Sequence, residues 1–132
     1  MSLDKSLIEN LIDITSNAAI SCYPHLGKNN KIIADQAATD IMRTKLNQLN
    51  INGEVVIGEG EIDKAPMLYI GENVGNNIGP ELDIAVDPLE GTNFVANNLP
   101  GALSVIAVSN KSNLFNAPET YMNKISANVT EK

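Results

Sequence analysis

Asp83-Ile84-Ala85-Val86-Asp87-Pro88-Leu89-Glu90-Gly91-Thr92 is the stretch from which both the fold and the chemistry of this chain can be read. The apolar run from Leu82 to Val86 predicts a strand that Pro88 stops, because proline has no N–H to give to a ladder. The strand ends at Asp87, proline turns the chain, and Glu90 returns within the same turn, so two carboxylates can face one point. Gly91-Thr92 follow, and the backbone N–H groups beyond Gly91 can open a helix and receive a phosphate. Hard oxygen donors in this order suit Mg²⁺ or Mn²⁺. The competing reading is a plain strand-to-helix loop. The order strand, acid, proline, acid, glycine, threonine is demanding enough to disfavour it.

Towards the N-terminus, Val55-Val56-Ile57 predicts a short strand interrupted by Gly58-Glu59-Gly60-Glu61. Two glycines bracketing an acid let a ligand approach the backbone closely, and two neighbouring carboxylates repel each other unless a cation stands between them. Taken by itself, this feature reads better as an acidic hairpin turn. The glycine spacing matches neither a dinucleotide fingerprint nor a P-loop. Met67 to Gly71 predicts another short strand, Asn73 to Pro80 a Gly/Asn-rich loop, and Ala102 to Val108 the most apolar strand, suited to the middle of a sheet.

Further upstream the apolar period is helical. Residues 3–22 carry Leu7 and Leu11, Ile8 and Ile12, and Ile14 and Ala18 at helical spacing, and Pro24 closes the helix. Residues 32–49 place Ala38, Met42, Leu46 and Leu49 on one stripe, closed by Asn50-Ile51-Asn52-Gly53. Asp35 falls on that same stripe, whereas Asp40 points to the opposite, solvated face. A core-facing carboxylate needs a hydrogen bond or a cation, although an Asp near a helix start is also favoured by the helix dipole. Two helices followed by a mixed sheet predict an α/β fold, an α+β layered sandwich.

Composition narrows the partners. The net charge of −7 excludes the basic surface that nucleic acid or an anionic membrane would need. With only nine Lys and Arg residues, attraction for a phosphate ester would have to come from bound cations. The single cysteine, Cys22, forbids an intrachain disulfide, and one His with one Cys leaves too few ligands for a zinc site. No apolar run approaches the roughly 20 residues that span a bilayer, which together with the N-terminal sequence predicts a cytoplasmic protein. Cys22 reads as a core residue, His25 as solvated, and Arg43 either as the partner of an acid on its own helix or as solvated. Hydrolysis of a phosphate ester fits the acids: carboxylates hold divalent ions, the ions activate water and neutralise charge, and a Thr hydroxyl orients the attack.

Three segments carry a family resemblance. Val56-Ile57-Gly58-Glu59-Gly60-Glu61-Ile62-Asp63-Lys64-Ala65-Pro66-Met67-Leu68-Tyr69-Ile70-Gly71-Glu72 resembles the signature of class II fructose-1,6-bisphosphatases, as do Asp83 to Thr92 and Asn116-Ala117-Pro118-Glu119-Thr120-Tyr121-Met122. The Asp-Pro-Leu-Glu-Gly-Thr element also resembles the wider lithium-sensitive phosphatase superfamily, which includes inositol monophosphatases. The resemblance runs from the first helix to about residue 126. It implies the N-terminal portion of a fructose-bisphosphatase-like fold, with residues 1–132 as its metal-binding part and the C-terminal part absent. The activity implied is hydrolysis of the 1-phosphate of fructose 1,6-bisphosphate in gluconeogenesis, and in some members of sedoheptulose 1,7-bisphosphate, with Mn²⁺ or Mg²⁺.

By the same resemblance, Asp35, Glu59, Asp87 and Glu90 are metal ligands, and Thr92 helps polarise the nucleophilic water. Gly91 and Thr92 touch the phosphate through their backbone, Lys31 and Tyr121 contact substrate beside Glu90, and Glu61 and Asp83 are supporting or structural acids. Full-length members often form homo-oligomers. Two departures stand out. Asn93 occupies a position where some members carry a basic residue, and family chains run to more than twice this length, the remainder supplying a further acidic ligand and most of the basic phosphate grip. Two readings compete with the enzyme: a truncated, non-catalytic remnant that binds metal or a full-length homologue, and a phosphatase of another ester such as an inositol phosphate.

Overall fold

The computed structural model describes residues 4–60, 67–116 and 123–127. The elements run α1 (Lys5–Cys22), a 3₁₀ turn (Tyr23–His25), α2 (Lys31–Leu46), β1 (Asn52–Ile57), β2 (Asn73–Val74), β3 (Glu81–Glu90), α3 (Thr92–Ala96) and β4 (Leu103–Asn110). The strands form one mixed sheet in the order β2-β1-β3-β4. β1 is antiparallel to β2 and parallel to β3, and β3 is antiparallel to β4. The two long helices pack on each other, and both lie on one face of the sheet, α1 against β3 and β4 and α2 against β3. The expected α/β layering is therefore present.

The helical periods explain this layer. Ile14, Ala18 and Cys22 recur every four residues on α1 and are buried, and Ala34, Ala38, Met42 and Leu46 do the same on α2. Ile8 and Ile12 share the spacing but lie on the outer face, exposed to solvent. The Asn30 side chain caps α2 by accepting a hydrogen bond from the Ile33 N–H. Below the helices, Val55, Leu82, Ile84, Val86 and Leu89 complete the core with Leu68 and Val74. Cys22 is buried there as a reduced, apolar side chain, as its place on the helix predicts.

Three expectations about strands need correction. β3 does not stop before Pro88 but continues to Glu90. The β3–β4 register shifts between Asp87 and Glu90, and such an irregularity is where a strand tolerates a residue without an N–H. The turn falls instead at Gly91, whose φ of 83° is left-handed. Residues 67–71 form bends and a turn rather than a strand, with the neighbouring pair Asn73–Val74 as β2. Their apolar content serves burial instead: Leu68, at a φ of 54°, is fully enclosed by the core. β4 lies at the edge of the sheet among the described strands, not in its middle. Ile106 and Val108 face the core, whereas Leu103 and Val105 are exposed.

Candidate functional site

The carboxyl ends of β1 and β3 build the site. The two strands are parallel neighbours, and Ile57 lies beside Ala85. Glu59 and Asp87, each two residues further on, therefore leave the same end of the sheet. In open α/β sheets this end is where ligands bind. Asp87 is paired across to Val105 and half-buried, and the register shift follows it immediately. Side chains three apart on a regular strand point to opposite faces. Slippage at Pro88-Leu89 breaks that alternation, so Glu90 comes within hydrogen-bonding reach of Asp87.

Helix α2 adds a third acid. Asp35 is half-buried on its sheet-facing edge, and its charge acts on Asp87. Burial, with the hydrogen bond and charge of Glu90 and the charge of Asp35, outweighs the Leu89 N–H and pushes the Asp87 carboxyl up to about 7. Burial also raises Asp35 above the ordinary carboxylate range. The Cys22 thiol is pushed up by burial, against a hydrogen bond from Ser21, with the Asp35 charge adding to the rise. Two half-buried carboxyls, Asp35 and Asp87, and the exposed Glu90 thus act on one another. Among the described residues, no three His, Cys, Asp or Glu side chains converge closely enough to hold a metal ion by themselves.

The other expected residues surround this cluster in sequence and fold. Thr92 is half-buried and starts α3, directly after the left-handed Gly91. A Cβ on Gly91 would come within 2.8 Å of the Phe94 ring, so only glycine combines this conformation with the space available. Lys31 is exposed in the first turn of α2, one helical turn before Asp35. Glu59 is half-buried, and its N–H donates to the Leu68 carbonyl at 2.9 Å. Gly58 makes that contact possible, since a Cβ there would lie 2.0 Å from the same carbonyl oxygen. Tyr121 and Glu61 lie outside the described residues.

Asp83 stands apart from the cluster and does structural work. Its Oδ2 accepts from the N–H groups of Asn113 and Leu114 at 2.9 and 3.1 Å, and Lys111 is 3.9 Å from Oδ1. Burial opposes ionisation, but backbone N–H groups from Leu114, Ser112 and Asn113, with Lys111, hold the carboxyl below the usual range.

A half-buried ion pair escapes sequence reasoning. Arg43 does not pair with an acid on its own helix and is not free. Its Nε lies 2.5 Å from Oε1 of Glu72, a residue only 4% exposed. The separation of 29 residues leaves no local signal, although an acid inside an otherwise apolar segment was a hint.

A cavity of about 1020 Å³ lies elsewhere. It opens at the start of β3, beside Asp4, Asp13, Glu81 and Lys45, at the end of the sheet opposite to Asp87. Its acidic lining suits no phosphate ester, so size alone does not make it the candidate site.

Comparison with known proteins follows the same lines. The family model described as bacterial fructose-1,6-bisphosphatase, glpX-encoded, matches residues 5–131. A Synechococcus sp. (strain CC9902) protein named D-fructose 1,6-bisphosphatase class 2/sedoheptulose 1,7-bisphosphatase is 50% identical over 125 residues, covering 95% of this chain and 37% of its own length. A Prochlorococcus marinus (strain MIT 9313) protein of the same name is 47% identical over 130 residues, covering 98% of this chain and 39% of its own. The chain thus spans less than two fifths of the length of these relatives. Among solved structures, an extragenic suppressor from Pyrococcus furiosus matches with a TM-score of 0.54 and 21% identity, over 81% of this chain and 41% of that one, a likeness of fold.

Proposed function

This chain belongs to the bacterial fructose-1,6-bisphosphatase family, and from that premise we propose that it forms the metal-holding part of a phosphatase that removes the 1-phosphate of fructose 1,6-bisphosphate. The products would be fructose 6-phosphate and phosphate, a step of gluconeogenesis, with sedoheptulose 1,7-bisphosphate as a second substrate. The observation that supports this reading is the half-buried Asp87 at the end of β3, with Glu90 and Asp35 acting on it. Carboxyls crowded in this way retain a proton that a cation would displace.

The donor set fits hard divalent ions. Asp35, Glu59, Asp87 and Glu90 would hold Mn²⁺ or Mg²⁺, and all offer only oxygen. Such ions, once held, neutralise charge on the phosphoryl oxygens and lower the pKa of bound water. The chain's own residues do the rest. The Thr92 hydroxyl orients the attacking water, the backbone at Gly91 and Thr92 receives the phosphate, and Lys31 and Tyr121 hold the sugar phosphate. Gly91, having no side chain, leaves room for that approach.

A second reading is a chain that binds metal without turning over substrate. The shortage of basic residues favours it, since only nine Lys and Arg are present to hold the phosphates of a substrate. Phosphate release from fructose 1,6-bisphosphate with Mn²⁺, compared between this chain and Glu59→Gln, separates the readings. Release that disappears in the variant supports the phosphatase. Mn²⁺ binding that disappears in the variant, with no release from either chain, selects the second reading. A chain that binds no Mn²⁺ refutes the metal assignment itself.

A further inference from the structure

Helix α2 carries Lys31, Asp35, Thr39 and Arg43 at intervals of four, and so along one edge. Asp35 reaches the carboxylate cluster. Arg43, two turns further on and about 12 Å along the axis, reaches Glu72. Glu72 directly follows residues 67–71, which bond through their backbone to Glu59 and Gly60. We propose that Arg43 and Glu72 are positioning residues, an ion pair that locks the loop bearing Glu59 to the same helix that bears Asp35.

The hydrogen bonds of the loop support this. At its outgoing end the Glu59 N–H donates to the Leu68 carbonyl, and the Ile70 N–H donates to the Gly60 carbonyl, both at 2.9 Å. At its return the Gly71 N–H donates to the Val55 carbonyl at 2.8 Å, and the Val55 N–H to the Glu72 carbonyl at 2.9 Å. The backbone of Glu72 is thus fastened to β1 and its side chain to α2. The side chain is 5% exposed, and among the described residues its Oε2 has no hydrogen-bond partner. Arg43 is therefore the countercharge that makes burial of this carboxylate tolerable. Without it, Glu72 would move towards water and draw the loop with it. Lys45 illustrates the contrast: it pairs with an exposed Asp13 and fastens no loop.

The consequence for metal binding rests on the reading of Glu59 given above, whereas the fastening of the loop does not, and the experiment keeps them separate. Hydrogen exchange is followed on the 132-residue chain and on Arg43→Met, Glu72→Gln and Arg43→Lys. The expected result is exchange at least about tenfold faster at the Glu59, Ile70 and Gly71 amides in the first two variants, with the β4 amides unchanged and partial recovery in Arg43→Lys. Equal acceleration at every amide would reduce the pair to general stability and overturn the proposal, as would no acceleration in the loop. In the same variants Mn²⁺ affinity, read by electron paramagnetic resonance, is expected to fall about 10- to 100-fold, the usual effect of losing a residue behind a ligand. Unchanged affinity in Arg43→Met would overturn the positioning role. A wild-type chain that binds no Mn²⁺ would refute the proposed function, with the exchange data still deciding whether the pair locks the loop.

Discussion

Replacing Asp87 with Asn should stabilise the metal-free chain, most strongly at alkaline pH. A carboxyl whose folded pKa is raised from 3.8 to about 7 prefers to keep its proton in the folded state. Its contribution is therefore neutral to folding below the unfolded value, and a penalty builds as pH rises from there and is complete above the folded value. At pH 8 that penalty would be about 4 kcal/mol for a group fully shielded from water. Asp87 is only half-buried, so screening reduces it to about 1–2 kcal/mol. The Asn side chain has nearly the same shape, carries no charge and can donate to Glu90. Urea unfolding followed by circular dichroism in EDTA, at pH 5 and pH 8, measures the difference. Asp87→Asn should gain about 1–2 kcal/mol over the wild type at pH 8 and much less at pH 5. Millimolar Mn²⁺ should reverse the order, because a ligand that binds only the folded wild type stabilises it by mass action. A variant no more stable than wild type at pH 8, or one with the same advantage at both pH values, would refute the argument that the Asp35–Asp87–Glu90 crowding is a charge penalty.

Two further substitutions probe the framework around the cluster. Gly58→Ala would put a Cβ 2.0 Å from the Leu68 carbonyl oxygen and 2.7 Å from Val55 Cγ1, so the loop must shift, at about 2 kcal/mol in urea unfolding, and Mn²⁺ affinity should fall with it. Asp83→Ala would strand the Asn113 and Leu114 N–H groups and should cost about 2–3 kcal/mol at pH 7. Because its folded carboxyl titrates below the ordinary 3.8, the part of that contribution owed to its charge is present above this value and fades as pH falls further, so the gap between wild type and variant should narrow in acid unfolding.

What could be foreseen from the residues divides along a physical line. Asp87, Glu90 and Gly91 were legible because their relation is set within a few bonds: a strand, a proline that cannot extend it regularly, and a glycine free to turn. Even there, proline misled about the strand's end, since a register shift lets β3 absorb Pro88 and pair again at Glu90. Asp35 was legible only in part, because helical period places it on the apolar stripe but reads equally well as an Asp near a helix start. Residues 67–71 were misread for the opposite reason. Their apolar run looks like a strand, yet Leu68 is apolar because it plugs the core from a loop, and no periodicity marks such a residue. Arg43 and Glu72 lay further from reach still. Each is an ordinary charged residue in its own segment, and only the fold makes the carboxylate buried and the guanidinium necessary. The acids that crowd the site follow from local sequence pattern, whereas the pair inferred to hold one of their loops in register is created by the packing of α2 against the return of that loop. On that inference this chain would keep every motif acid and still lose Mn²⁺ through Arg43→Met, at a position that no motif singles out.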